Sequence, residues 1–193
     1  MNIPDRKQAL ELFKKYNKSA SLYKHAIAVE GVMRYMARKA GEDEEKWGVI
    51  GLVHDLDYEM YPDQHCKMTE KILRENGWPD EYIRAVLSHA WGFCTDVEPV
   101  TRLEKTLYAI DELTGLVVTS ALVRPSRSVL DMEAKSVKKK WNDKRFAAGV
   151  NRQVIEKGAE ILGVSLDELI TDCIMGMREV AEEIGLKGNP VAS

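Results

Sequence analysis

The chain has 193 residues and a formal net charge of −3, with 45% hydrophobic and 31% charged residues, an ordinary balance for a globular protein. That length can bury a substantial core, and the slight negative charge argues against a generic nucleic-acid binder. Cys66, Cys94 and Cys173 contain no CxxC and leave an odd count, so no disulfide framework is expected. Met1 to Lys7 lacks the apolar core of a signal peptide, and Leu113 to Val123 is too short to span a bilayer. The expectation is a soluble cytoplasmic protein with no membrane partner.

Nearly every segment has helical periodicity, and no stretch alternates like a strand. A first helix opens at Pro4-Asp5 and runs to about Tyr16. A second extends from near Ser19 to Ala40, stopped by Gly41. A third covers Asp43 to Leu56, its acidic start complementing the helix dipole. After a loop containing Pro62, Gln64 to Glu75 is helical and ends at Asn76-Gly77, and Pro79 starts a helix to Ala90. Thr101 and Glu104 have capping-box spacing, and the long helix behind them ends before Pro125. Further helices are predicted around Met132 to Trp141, around Phe146 to Gly163 and from Ser165, where Glu168 repeats the capping-box spacing. The predicted fold is all-α, with eight or nine helices in a single domain spanning residues 1–193.

All four histidines, His25, His54, His65 and His89, precede Ala90; Asp55 follows His54 directly, and Asp111-Glu112 lies 22 residues beyond His89. A lone histidine on an amphipathic helix is usually structural, but this clustering suits a mixed imidazole and carboxylate metal shell. His25 lies 16 residues before Gly41 and His54 lies 13 after it. At about 1.5 Å rise per residue, both reach the open end of one helical hairpin. His65 and His89 each lie 12 residues from Gly77, at the open end of a second. Asp111 falls mid-helix, where spacing alone does not bring it to the cluster. Cys66 and Cys94 lie near the histidines and are expected to be buried, inert thiols.

His25, the His54-Asp55 pair and Asp111 resemble the H…HD…D signature of the HD-domain superfamily of metal-dependent phosphohydrolases, in particular its short HDIG-type members. The resemblance covers residues 19–125 as a metal-binding helical core, leaving 126–193 as a C-terminal helical extension. His65 in DQHCKMTEKIL and His89 in AVLSHAW match the extra histidines of members with two metals, giving six positions in order within predicted helices. The resemblance implies that His25, His54, Asp55 and Asp111 hold one divalent ion. Asp55 would bridge to a second held by His65 and His89, with His54 and Asp55 as the catalytic pair. Mn, Fe, Co, Ni, Zn and Mg all suit such a site. Many members continue HD with Ile-Gly and sometimes Lys; Leu56-Asp57-Tyr58-Glu59 departs from this and leaves the general acid unassigned. Asp57 and Glu59 are either carboxylates that orient the histidines or helix-end and loop residues.

Ala134 to Arg152 carries seven Lys and Arg against the single acid Asp143. Lys139, Lys140, Arg145, Arg152 and the upstream Arg124 are therefore candidates for binding a phosphorylated substrate, against the alternative of a solvated helix face. The implied activity is hydrolysis of a small phosphorylated molecule, a nucleotide or other phosphomonoester, by metal-activated water. An HD-type diiron oxygenase and a non-catalytic nucleotide- or metal-binding regulatory module are the alternatives.

Overall fold

The computed structural model describes residues 3–190, among which there are nine α-helices, one short 3-10 turn and no β-strand. Arg6–Tyr16 (α1) begins at an Asp5 cap in which Asp5 and Gln8 satisfy each other's backbone N–H groups. Ala20–Ala40 (α2) starts at Ser19 and stops at Gly41, whose φ of 70° is the left-handed conformation that glycine adopts without a Cβ penalty. Glu44–Val53 (α3) ends three residues earlier than predicted, and the chain then turns tightly through residues 54–60. Pro62–Gln64 forms the 3-10 turn, and Lys67–Glu75 (α4) starts after Cys66, later than the sequence suggested. Asp80–Ser88 (α5) and Arg102–Leu122 (α6) follow, the latter with the Thr101–Glu104 capping box complete on both sides.

The last third departs more from expectation. Ala134–Lys138 (α7) is a five-residue helix, and Arg152–Leu162 (α8) begins six residues later than predicted. Ala147 explains the delay: its φ of 48° lies outside the right-handed helical region. Leu166–Glu179 (α9) starts at the Ser165 cap and closes the helical order.

Helix α6 is buried on several faces, through Leu103, Leu107, Ile110, Leu113, Leu116 and Val117, because it is the axis on which other helices pack. Helices α2, α5 and α8 lie against it, α3 packs on α2, and α9 returns from the C-terminal third to cover both α2 and α6. Two glycines allow close approaches between helices. A Cβ on Gly158 of α8 would stand 2.5 Å from Ala109 Cα of α6, and one on Gly176 of α9 would stand 2.5 Å from Val32 Cα of α2. Gly176→Ala should therefore destabilise the fold by about 1–3 kcal/mol, because overpacking against backbone exceeds the alanine's helical advantage. Thermal unfolding checks this; an unchanged or raised melting temperature would contradict the close packing. No helix among the described residues is long and apolar enough to cross a membrane.

Candidate metal centre

Two histidines of the cluster terminate helices, and the same local device orients both. His54 follows the last residue of α3, and its Nδ1–H donates to the Gly51 carbonyl at 2.7 Å. His89 follows α5, and its Nδ1–H donates to the Val86 carbonyl at 2.6 Å. Each bond satisfies a last-turn carbonyl, fixes the tautomer and leaves Nε2 with a lone pair facing inward. His65 is set differently, between the 3-10 turn and α4. Its Nδ1–H donates at 2.7 Å to Asp57 Oδ1, while Asp57 Oδ2 accepts the Thr69 N–H at 2.9 Å. The next residue, Cys66, holds a φ of 70°, a sparsely populated conformation that helps set the turn carrying His65.

The six expected side chains converge, but only His25 and Asp111 lie inside helices; the other four occupy helix ends and turns. That position corrects the prediction that all six are helical. It has a physical basis: chain ends and turns leave side chains free to point into a cleft, whereas a mid-helix residue must face it by register. His25 Nε2 stands 3.2 Å from His54 Nε2 and 3.0 Å from Asp111 Oδ1, and His54 Nε2 is 3.1 Å from the same oxygen. Asp55 has two faces. Its Oδ2 lies 3.2 Å from His54 Nε2 and 3.5 Å from His25 Nε2. Its Oδ1 lies 3.3 Å from His89 Nε2 and 3.5 Å from His65 Nε2.

These separations fit a metal. Donors about 2.1 Å from a common ion stand about 3.0–3.4 Å apart in tetrahedral or octahedral arrangements. Two unprotonated Nε2 atoms at 3.2 Å would repel each other unless a positive charge is shared between them. The His25, His54, Asp55 and Asp111 group could hold one ion, with its ligand atoms all within 4.8 Å of one another. His65, His89 and Cys66 form a neighbouring group within the same limit. Burial, with Asp57 nearby, pushes the Cys66 thiol up.

In protein stripped of metal, protons take over the balancing role. Burial works to lower the His54 imidazole, but the Asp55 and Asp111 carboxylates outweigh it and hold its pKa well above 6.5. Burial likewise opposes ionisation of Asp55 and Asp111, yet His54 with its neighbours holds both below 3.8. Burial also lowers His65, but the Asp57 hydrogen bond together with the Asp55 and Asp57 charges more than compensates, leaving it above 6.5. The His54 and His65 contributions to metal-free stability are thus complete below 6.5 and lost as pH rises through their folded-state values. The carboxylate contributions are complete above 3.8 and lost as pH falls through theirs. A divalent ion must displace the imidazole protons, so the melting-temperature gain on adding Mn should increase between about pH 6 and about pH 8.5. A gain that stays flat with pH would contradict proton displacement.

The centre forms the floor of a cleft of about 410 Å³ whose walls include Tyr58, Phe93, Tyr108, Glu112, Val150 and Val154. Glu112 Oε2 accepts the Asn151 N–H at 3.0 Å, tying the start of α8 to α6. Burial raises the Glu112 carboxyl above 4.5. The aromatic and valine walls carried no sequence signal, because nothing in their spacing links them to the histidines. Cys94 is exposed at this cleft, which corrects its expected burial; Cys66 and Cys173 are buried.

None of the five expected basic residues lines the cleft. Arg124 donates to Ser136 Oγ at 2.7 Å and to the Asp131 carbonyl at 2.9 Å, holding the turn after α6. Arg152 gathers the Lys140, Asp143 and Phe146 carbonyls at 2.7–3.3 Å, holding the loop before α8. Lys139, Lys140 and Arg145 are exposed outside it. Charge density in the sequence marked residues of which Arg124 and Arg152 hold loops and Lys139, Lys140 and Arg145 face solvent. The two open carboxylates also separate. Asp57 is fully buried and orients His65, whereas Glu59 accepts the Lys18 and Ser19 N–H groups at 2.7 and 2.9 Å and braces the start of α2.

No solved structure matches the chain. The sequence profile of the HD domain matches residues 22–116, a span containing all six converging side chains. Proteins with this domain bind divalent metals and are mostly hydrolases of the metal-dependent phosphohydrolase type. With the H…HD…D order matched and those side chains gathered at one cleft, this chain belongs to the HD-domain superfamily.

Proposed function

We propose that the chain is a metal-dependent phosphohydrolase that cleaves a small phosphomonoester at a centre of two divalent ions. The observation that carries this reading is the two-faced Asp55 carboxylate, with one oxygen toward His25 and His54 and the other toward His65 and His89. His25, His54, Asp55 and Asp111 would hold one ion; His65, His89 and Asp55 would hold the other. When bound, the ions supply Lewis acidity and lower the pKa of a coordinated water. The protein's own part is orientation. The Gly51 and Val86 carbonyls and Asp57 retain the Nδ1 protons of His54, His89 and His65, which keeps each Nε2 available to metal. Tyr108, Val150 and Val154 limit water in the cleft, where a lower local dielectric strengthens the charge interactions.

The same donors also suit iron, so the test must separate hydrolysis from oxygen chemistry. Phosphate release from a panel of nucleotides and phosphomonoesters, run anaerobically with Mn-loaded protein, is the expected result. No release across the panel, combined with iron-dependent oxygen consumption, would replace this reading with a diiron oxygenase.

A further inference from the structure

The cleft divides into an ionic floor and an apolar wall. Tyr58, Ala90, Phe93, Tyr108, Val150 and Val154 supply the wall, and Tyr58 and Phe93 remain 49% and 63% exposed. The carboxyl groups lining it are Asp55, Asp111 and Glu112, and among the described residues that line it there is no lysine or arginine. One turn beyond Val154 on α8, Lys157 could have offered a cation, but its ammonium lies 3.9 Å from the centroid of the Trp91 ring and is engaged with that face.

From this division we infer that the cleft selects phosphomonoesters whose leaving group is uncharged and apolar or aromatic, and discriminates against esters carrying a second anionic group. The inference rests on the proposed hydrolytic reading and adds the substrate class. Two divalent ions bring about four positive charges, and the three lining carboxylates remove three of them, leaving a net of about +1. Counting Glu112 as neutral raises this only to about +2. A phosphomonoester dianion already matches or exceeds that charge. A further carboxylate or phosphate would lie against Val150, Val154 and the aromatic rings, where it loses hydration and meets no cation. An aryl or alkyl group there buries apolar surface against apolar surface instead.

Matched ligands isolate the distal charge. Binding of 4-methylbenzylphosphonate and 4-carboxybenzylphosphonate to Mn-loaded protein would be measured by calorimetry, alongside hydrolysis of 4-methylphenyl and 4-carboxyphenyl phosphate. The methyl compounds should be preferred by about tenfold or more in both measurements. Val150→Lys, which places a cation on the wall, should reduce or invert that preference. If this variant fails to fold, ionic strength serves in the wild type: the preference should shrink between low salt and about 0.5 M. Equal or tighter binding of the carboxyl compound by the wild type would overturn the inference, as would a preference that neither the lysine nor salt alters. Failure of both phosphonates to bind would overturn it as well. Preferential phosphonate binding without hydrolysis of either ester would leave the charge selection standing and remove the hydrolytic reading alone.

Discussion

Asp55→Ala is expected to abolish phosphohydrolase activity by at least about three orders of magnitude and to empty the centre of metal. Among the described residues Asp55 is the one side chain within 3.5 Å of all four Nε2 atoms, so its loss removes an anionic donor from both halves of the site together. It also leaves His54, which is fully buried, with Asp111 as its remaining acidic neighbour. Replacing His65 or His89 removes a donor from one half only, and one ion should then remain. Elemental analysis after gel filtration of Mn-loaded protein distinguishes the patterns. Two ions retained by Asp55→Ala, or both lost in His65→Ala, would contradict the assignment of Asp55 as the shared carboxylate. Helical circular dichroism should persist in every case, since a core of this size forms without metal.

Asp57→Ala should produce the next largest effect, a loss of about 10–100-fold in metal affinity together with destabilisation of about 1–3 kcal/mol. Asp57 accepts both the His65 Nδ1–H and the Thr69 N–H, and its own N–H donates to Thr69 Oγ1 at 3.2 Å. Truncation would leave buried donors without a partner and release the His65 ring to turn. The control is Glu59→Ala, two residues along the same turn, where the carboxylate braces the start of α2. It should fray that helix and lower the melting temperature while metal affinity stays unchanged. Metal titration and thermal unfolding of the pair test the distinction. Equal metal loss in both variants would mean that general loosening of the turn, rather than orientation of His65, explains the effect.

Local chemistry made much of this molecule legible. The caps at Asp5, Ser19, Thr101 and Ser165 and the left-handed Gly41 were readable because a cap is decided within about four residues by orphaned backbone groups. The two hairpins were readable for a related reason, since equal distances from a stop residue return the chain to equal heights. They anticipated both the 3.2 Å approach of His25 to His54 and the ring contact of His65 with His89. The resemblance extended this reading to Asp111, whose place depends on how α6 lies across α2, something helical spacing alone does not encode.

Other features were decided only in three dimensions. Two acids two residues apart in one turn, Asp57 and Glu59, take opposite roles because one side chain is buried under His65 and the other faces the start of α2. Arg152 in the basic run and Arg124 upstream of it were candidate phosphate binders, but the carbonyls that occupy them come from turns formed only once α6, α7 and α8 are placed. The apolar wall of the cleft draws on residues near positions 58, 93, 108 and 154, which have no common period. Sequence by itself determined the helices, their caps and the gathering of the histidines, all governed by short-range geometry. Tertiary packing decided which charges face the cleft and which spend their hydrogen bonds holding the chain in shape.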